Sequence, residues 1–337
     1  MKFYILTDFE RGSYKIIGKL LQHSLSAFGY VEHLDRPRNR SKVSEFTQNL
    51  QGSILLHNTL GDGFTPLQKS YNIALPLHEW NKYPVRWIDR LNQFDEVWAA
   101  TEHIMNLLEN CGLKVPCFHL PPALDLDEIP SKKSWNVCAP PLFLAVGEPH
   151  FRKGHHLLMQ GFIKAFPEIG EAHLTIKTSP TCNWESPRQD ITVIKEDWPR
   201  EKLLAEYAKH DCFVSTSLAE GLGLPIAEAI MAELPICTNF WGGHKSLLTP
   251  GGFFEIAHEE IIQPFTSDPA FYAEDQKCAY SSPKEVCLAL QKFLKSTLND
   301  RKNKVKVAKK HFLQHYGSST THANLHQRIE EINSNFS

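Results

Sequence analysis

The sequence predicts an α/β fold built from two doubly wound, Rossmann-like halves in tandem. Strand and helix patterns alternate from Met1 to about Pro122, and a second alternating series runs from Leu142 to Asn239. Between them a polar stretch, Asp125-Leu-Asp-Glu-Ile-Pro-Ser-Lys-Lys-Ser-Trp-Asn, breaks the rhythm. Alternation of this kind argues for mostly parallel sheets with helices on both faces. The polar break is the linker candidate and divides the chain into residues 1–135 and 136–320. A length of 337 residues suits two domains, each large enough to bury its own core.

In the first half, strands are expected at Lys2–Asp8, Ser53–Asn58, Asn72–Leu77, Glu96–Ala100 and Val115–Leu120. Helices are expected at Ser13–Phe28, Val85–Gln93 and Glu102–Asn110. In the second half, the strands are Leu142–Val146, His173–Thr178, Ile191–Lys195, Cys212–Thr216 and Ile236–Asn239. Its helices are His155–Phe166, Glu201–His210 and Pro225–Glu233. The lysine-rich tail from Lys292 to Lys310 keeps helical periodicity through Val305, Val307, Ala308 and Phe312, and its charges read as a solvated face.

The stretch Cys212-Phe-Val-Ser-Thr-Ser-Leu-Ala-Glu220-Gly-Leu-Gly-Leu-Pro-Ile-Ala-Glu228 carries the strongest chemical signal. It begins as a buried strand and ends as a helix, with Pro225 preset for a first helical turn. Gly221 and Gly223 let a ligand approach bare backbone. A helix start offers unpaired N–H groups and a positive dipole end, which suit phosphate. Glu220 and Glu228 frame the turn. Carboxylates repel phosphate but accept hydrogen bonds from sugar hydroxyls. The arrangement describes a nucleotide sugar.

Glu, seven residues, Glu, with Gly-Leu-Gly-Leu-Pro inside and Pro235-Ile-Cys-Thr-Asn-Phe-Trp-Gly-Gly after, resembles the retaining glycosyltransferases of family 4. That resemblance implies the GT-B fold, two Rossmann-like domains facing across a cleft. It implies that Glu228 holds the nucleotide's ribose hydroxyls, that Glu220 lies by the donor sugar, and that the backbone of Gly221, Leu222, Gly223 and Leu224 meets the diphosphate. It further implies that a last helix, about 321–337, packs back on the first domain.

Several other positions are read beside that motif. Leu142-Phe-Leu-Ala-Val-Gly147-Glu-Pro-His-Phe-Arg152-Lys153-Gly154 puts two cations beside a helix start, where an anion would offset their conflict with the dipole. The resemblance implies a Lys and an Arg from this loop that clamp the diphosphate. Lys153 matches. The family's arginine normally follows the strand glycine directly, where Glu148 stands here, so Arg152 is the substitute to test. The first strand runs into Asp8-Phe-Glu-Arg-Gly12, a βα turn in which Gly12 is the single glycine and either approaches the donor or only makes the turn. His78, at the end of Ile73-Ala-Leu-Pro-Leu, is the expected active-site histidine, with His57 as its rival. Asn92-Gln-Phe-Asp-Glu-Val-Trp-Ala-Ala-Thr101 resembles a family stretch in which serine takes the place of Thr101 and supports fold and register. The nucleobase is expected against Lys177, Thr178 and Ile194. Trp198 is either a stacking surface or core. The purpose of Trp241-Gly-Gly-His244-Lys245 stays open.

Composition excludes some classes. A net charge of −2, from 36 basic and 38 acidic residues, gives no electrostatic case for nucleic acid. No apolar run approaches the ~20 residues of a membrane span, which leaves peripheral contact as the membrane role. The opening Met1-Lys-Phe-Tyr-Ile-Leu-Thr-Asp8 meets an acid too soon for a signal peptide. Eight scattered cysteines fit thiols in a reducing cytoplasm. Asp125-Leu-Asp127 falls in the linker and reads as solvated, and His155 and His156 do not share a helix face, so no metal is expected. No cofactor is expected beyond the substrate, a nucleoside diphosphate sugar with uridine as the base. The acceptor is expected to be a carbohydrate or lipid-linked carbohydrate in polysaccharide assembly. An epimerase of the same fold and an inactive binding module are the alternatives.

Overall fold

The computed structural model describes residues 1–7, 12–35, 50–124, 126, 129–264 and 273–336. The chain forms two compact units. One comprises Met1–Asp125, Phe265–Gln276 and His315–Ser337; the other comprises Leu126–Pro264 and Lys277–Gln314.

The first unit holds a six-stranded sheet of β1 (Lys2–Thr7), β2 (Tyr30–Asp35), β3 (Ile54–Asn58), β4 (Tyr71–Ala74), β5 (Glu96–Ala99) and β6 (Cys117–His119). The order is β2-β1-β3-β4-β5-β6, with every pairing parallel. The central strands are apolar on both faces: Phe3, Ile5 and Leu6 on β1 and Ile54, Leu55 and Leu56 on β3 are all buried. Helices on both sides of a parallel sheet require such unbroken apolar runs. Those helices include α1 (Gly12–Leu25), α2 (Val85–Leu91) and α3 (Glu102–Asn110). Thr101 is the N-cap of α3, its Oγ1 accepting from the Ile104 amide at 3.3 Å. Strand β2 is an addition to the expected set. Its Tyr-Val-Glu-His-Leu-Asp sequence is half polar, as an edge strand paired on one side permits. Residues Asp8 to Arg11, the body of the expected glycine-bearing first loop, lie outside the described residues, as do Asp125 and Asp127.

The second unit repeats the plan with β7 (Leu142–Val146), β8 (His173–Thr178), β9 (Ile191–Lys195), β10 (Cys212–Ser215), β11 (Ile236–Thr238) and β12 (Phe254–Glu255). The order is β12-β11-β10-β7-β8-β9, again parallel. A separate antiparallel hairpin joins β13 (Glu259–Ile262) to β14 (Lys277–Tyr280). The helices are α4 (His155–Ala165), α5 (Arg200–Tyr207), α6 (Leu224–Met231), α7 (His244–Leu247), α8 (Pro283–Lys295) and α9 (Leu298–Tyr316). Phe143, Phe162, Phe166 and Phe293 anchor the core between sheet and helices. Strand order reverses between β10 and β7, and in open α/β sheets ligands bind beyond the carboxyl ends of strands at such a switch point.

The stretch read as a polar linker is bound to the second unit along much of its length. The Lys132 amide donates to Ala232 O at 2.8 Å, and its Nζ donates to His210 O at 2.5 Å and pairs with Asp211 at 3.5 Å. Trp135 Nε1 donates to Glu233 O at 2.8 Å. All eight cysteines are free thiols. Among the described residues no helix is long and apolar enough to cross a membrane.

The last helix, α10 (Ser318–Phe336), belongs to the first unit. Its Arg328 reaches Glu96 on β5, with Nε 3.3 and 3.1 Å from the two carboxylate oxygens. The guanidinium lies over the Phe118 ring at 3.9 Å. Glu96 is fully buried and also accepts from Trp98 Nε1 at 2.6 Å and Tyr71 OH at 3.0 Å. A buried carboxylate left without its cation is costly. Arg328→Ala is therefore expected to destabilise the first unit by about 3–5 kcal/mol, seen as a lower midpoint in urea. An unchanged midpoint would show that the pair does not hold the helix in place.

Candidate functional site

Two loops leave the switch point of the second sheet, one after β7 and one after β10. The first, Phe151–Lys153, is a single 3-10 turn that runs through Gly154 into α4. It is fastened to the second along its backbone. The Leu218 amide donates to Arg152 O at 2.7 Å, Ser217 Oγ donates to the same oxygen at 3.2 Å, and Thr216 Oγ1 donates to Gly154 O at 2.9 Å. Gly154 has a left-handed φ of 66°, and a Cβ there would sit 2.1 Å from Thr216 O. The contact requires glycine.

The fastening delivers Arg152 and Lys153 to Glu220. Lys153 Nζ donates to Glu220 Oε1, and Arg152 Nη1 lies 3.4 Å from Oε2 while donating to Ala219 O at 2.5 Å. Glu220 is 7% exposed. Burial by itself would raise its pKa, but Lys153, Arg152 and His244 outweigh that and hold the carboxyl well below the usual carboxylate range. Among the described residues, Glu220 is the carboxylate that both cations meet.

The backbone turn follows at once. Gly223, with φ 77°, is the N-cap of α6, and Pro225 stands in the first helical turn. The purpose of Gly242-Gly243 becomes plain here. The Gly243 amide donates to Glu220 O at 2.7 Å, and a Cβ on Gly243 would lie 2.4 Å from Gly221 O. The glycine pair therefore braces the turn from behind. His244 follows, 1% exposed, at the start of α7. Lys153, Glu220, Gly223, Pro225, His155 and His244 line one small pocket with the ends of β7 and β10.

Glu228 lies on α6 with 4% exposure, and both its oxygens are engaged. Arg200 Nη1 donates to Oε1 at 2.8 Å and Tyr207 OH donates to Oε2 at 2.7 Å. Burial first, then the Glu228 charge, pushes the Tyr207 hydroxyl well above its ordinary pKa, so it stays a donor. Neither partner was legible beforehand, because they sit at the two ends of α5 and no spacing links α5 to α6.

The remaining expected positions fall in different places. Glu148, where an arginine was sought, accepts from Ser179 Oγ at 2.5 Å. Lys177 on β8 pairs in register with Ile194 on β9; it is buried and donates to Thr178 O at 2.9 Å. Trp198 has Lys202 over its ring at 4.1 Å and Lys177 at 5.5 Å, and its Nε1 donates to Glu196 at 2.6 Å. In the first unit, His78 is buried with Nε2 2.6 Å from Lys82 O and its ring edge-on to Tyr83 and Trp87. His57 is fully buried, 3.1 Å from Asn72 Oδ1 and edge-on to Phe94. Gly12 is the first residue of α1. Among the described residues no group of three or more His, Cys, Asp or Glu stands together to hold a metal.

Burial also lowers two imidazoles around the pocket. His155, with Lys153 adding to the effect of burial, and His244 are each pulled to about 4. A histidine whose folded pKa lies below its unfolded value of about 6.5 binds fewer protons in the native state. Its contribution to stability is complete above pH 6.5 and is lost as pH falls toward 4. The melting temperature is expected to decline across that window, and a flat thermal-unfolding profile from pH 7 to 4.5 would contradict the burial of these rings.

Residues 140–270 match the family described as glycosyl transferases group 1. Among curated proteins, none matches the sequence. Solved structures are similar over nearly the whole chain. HepE of Anabaena, in complex with UDP and glucose, has a TM-score of 0.74 at 12% identity, over 98% of this chain and 100% of its own. A glycosyltransferase from Rickettsia africae gives 0.74 at 12%, covering 99% of both chains. Sucrose-phosphate synthase from Thermosynechococcus elongatus gives 0.71 at 12%, covering 99% of both. At such identity the likeness is one of fold, and the fold is GT-B. With the matched domain in its second half, the protein is a glycosyltransferase.

Proposed function

We propose that the protein is a retaining glycosyltransferase that moves a hexose from a nucleoside diphosphate sugar to an acceptor hydroxyl, using neither metal nor cofactor. The observation that carries this reading is the convergence of Lys153 and Arg152 on Glu220, directly before the Gly221–Leu224 turn. Two cations held together beside a helix start are groups that a diphosphate would pair with. Lys153, Arg152 and the turn amides are the preorganised donors that stabilise charge on the departing group. Glu220 takes sugar hydroxyls. Glu228, whose oxygens each keep a lone pair after bonding Arg200 and Tyr207, takes the ribose hydroxyls. Lys177 and Ile194 border the base, and Gly12 approaches the donor.

In the transfer, the bond from the anomeric carbon to the diphosphate oxygen breaks and its electron pair stays with the phosphate. The acceptor oxygen bonds the anomeric carbon on the same face, and its proton passes to the departing phosphate oxygen. Configuration is retained. His78 is the first-domain histidine assigned to support the sugar. Residues 1–135 form the acceptor side, with a last helix (about 321–337) on that domain, and residues 136–320 the donor side. Uridine and glucose are the donor of choice, a reading supported by HepE, solved with UDP and glucose on the same fold. The setting is cytoplasmic polysaccharide or glycoconjugate synthesis, with a carbohydrate or lipid-linked acceptor at a membrane surface.

The test is purified protein with UDP-glucose, with and without carbohydrate acceptors, read by release of nucleoside diphosphate and by the anomeric configuration of the product. Lys153→Ala is expected to slow release by about 10²–10³, the range for losing one charge-stabilising donor, while the melting temperature holds because Arg152 still faces Glu220. Turnover equal to wild type would refute the role of Lys153. Conversion of the donor sugar to its epimer without acceptor would refute transfer.

A further inference from the structure

His244 offers a ring nitrogen that the proposed mechanism does not use. Its Nδ1 lies 3.2 Å from Asn239 Oδ1, 3.3 Å from Asn239 O and 3.2 Å from Thr238 Oγ1. The Asn239 amide is oriented by its other end, where Nδ2 donates to Ser217 O at 2.8 Å, so its oxygen faces the ring. Two neighbours that can only accept fix the proton on Nδ1. Nε2 is therefore an acceptor with a lone pair. It is fully buried and has no hydrogen-bond partner among the described residues.

That nitrogen belongs to the pocket formed by Lys153, Glu220 and Gly223. A buried acceptor without a donor is a standing cost, removed only by a group that brings a proton to it. Lys153 Nζ donates to Glu220 and makes no hydrogen bond to Nε2. A diphosphate brings no proton at neutral pH and offers only acceptors. A sugar hydroxyl donates and accepts at once. Burial and the two neighbouring cations also keep the ring neutral near pH 7, so the lone pair is preserved.

We propose that His244 Nε2 accepts a hydrogen bond from one hydroxyl of the transferred sugar and selects donors that carry that hydroxyl. This rests on the reading of the pocket as a nucleotide-sugar site, and it adds a specificity-determining residue to it. Glu220 then accepts from the sugar on one side and His244 on the other, while Lys153 and Arg152 remain directed at the phosphates. The selection is against absence. An analogue lacking the hydroxyl leaves Nε2 buried and unpaired, so it is rejected more strongly than one bulkier elsewhere.

Calorimetry tests this with UDP, UDP-glucose and a set of UDP-deoxyglucoses, each lacking one hydroxyl, against wild type, His244→Leu and His244→Gln. Wild type is expected to bind one deoxy analogue about tenfold or more weaker than UDP-glucose. His244→Leu should lose that discrimination while binding UDP as wild type does, and His244→Gln, whose amide oxygen reaches the position of Nε2, should restore much of it. Equal losses for UDP and UDP-glucose in His244→Leu would overturn the proposal by making His244 a brace. Uniform binding of every deoxy analogue by wild type would overturn it without any mutation. UDP binding with no gain from any sugar would also overturn it while leaving the nucleotide site intact. Failure of wild type to bind UDP or UDP-glucose would remove the donor reading itself.

Discussion

The constraint on which the second unit depends is a buried charge. Glu220 is closed off from water with Lys153 and Arg152 on its two oxygens, and with a neutral imidazole rather than a third cation beside it. Burying charge is costly unless each charge is paired and hydrogen-bonded. The chain that follows, Gly221 to Leu224, runs directly into the start of α6, with Gly223 as its N-cap.

Holding two cations side by side requires a rigid frame, and the sequence supplies it with small and hydroxylated residues. Thr216 and Ser217 tie one loop to the other, Gly154 allows their backbones to touch, and Gly243 braces the turn that follows. None of these side chains does chemistry. Their effect is to hold the backbone that carries Lys153 and Arg152 against the loop that carries Glu220. The same economy applies to Glu228, which Arg200 and Tyr207 hold in one orientation.

The sequence revealed the architecture where period and punctuation were strong. The strand from Cys212, the glycines at 221 and 223, and Pro225 gave the β10–α6 turn almost to the residue. Strands β2 and β12 escaped because one is half polar at an edge and the other is two residues long. The apolar core of α8 escaped for another reason. Its buried positions, Val286, Cys287, Ala289, Leu290 and Phe293, are interleaved with lysines that draw attention to the charged face. Within the site, the ion pairs of Lys153 and Arg152 with Glu220 join two loops and were not read from the sequence. Arg200, Tyr207 and the orientation of His244 depend on contacts between elements that are distant in sequence, which no local pattern encodes.

Glu96 and Arg328 have a bearing on how the chain comes into being. The acid sits on β5, one strand in from the edge of its sheet, and its counterion rides on α10, 232 positions later. A nascent chain emerging N-terminus first therefore exposes β1 to β6 long before the partner of Glu96 leaves the ribosome. The first unit therefore lacks the cation of Glu96 until the chain has passed Gln314, where the second unit ends.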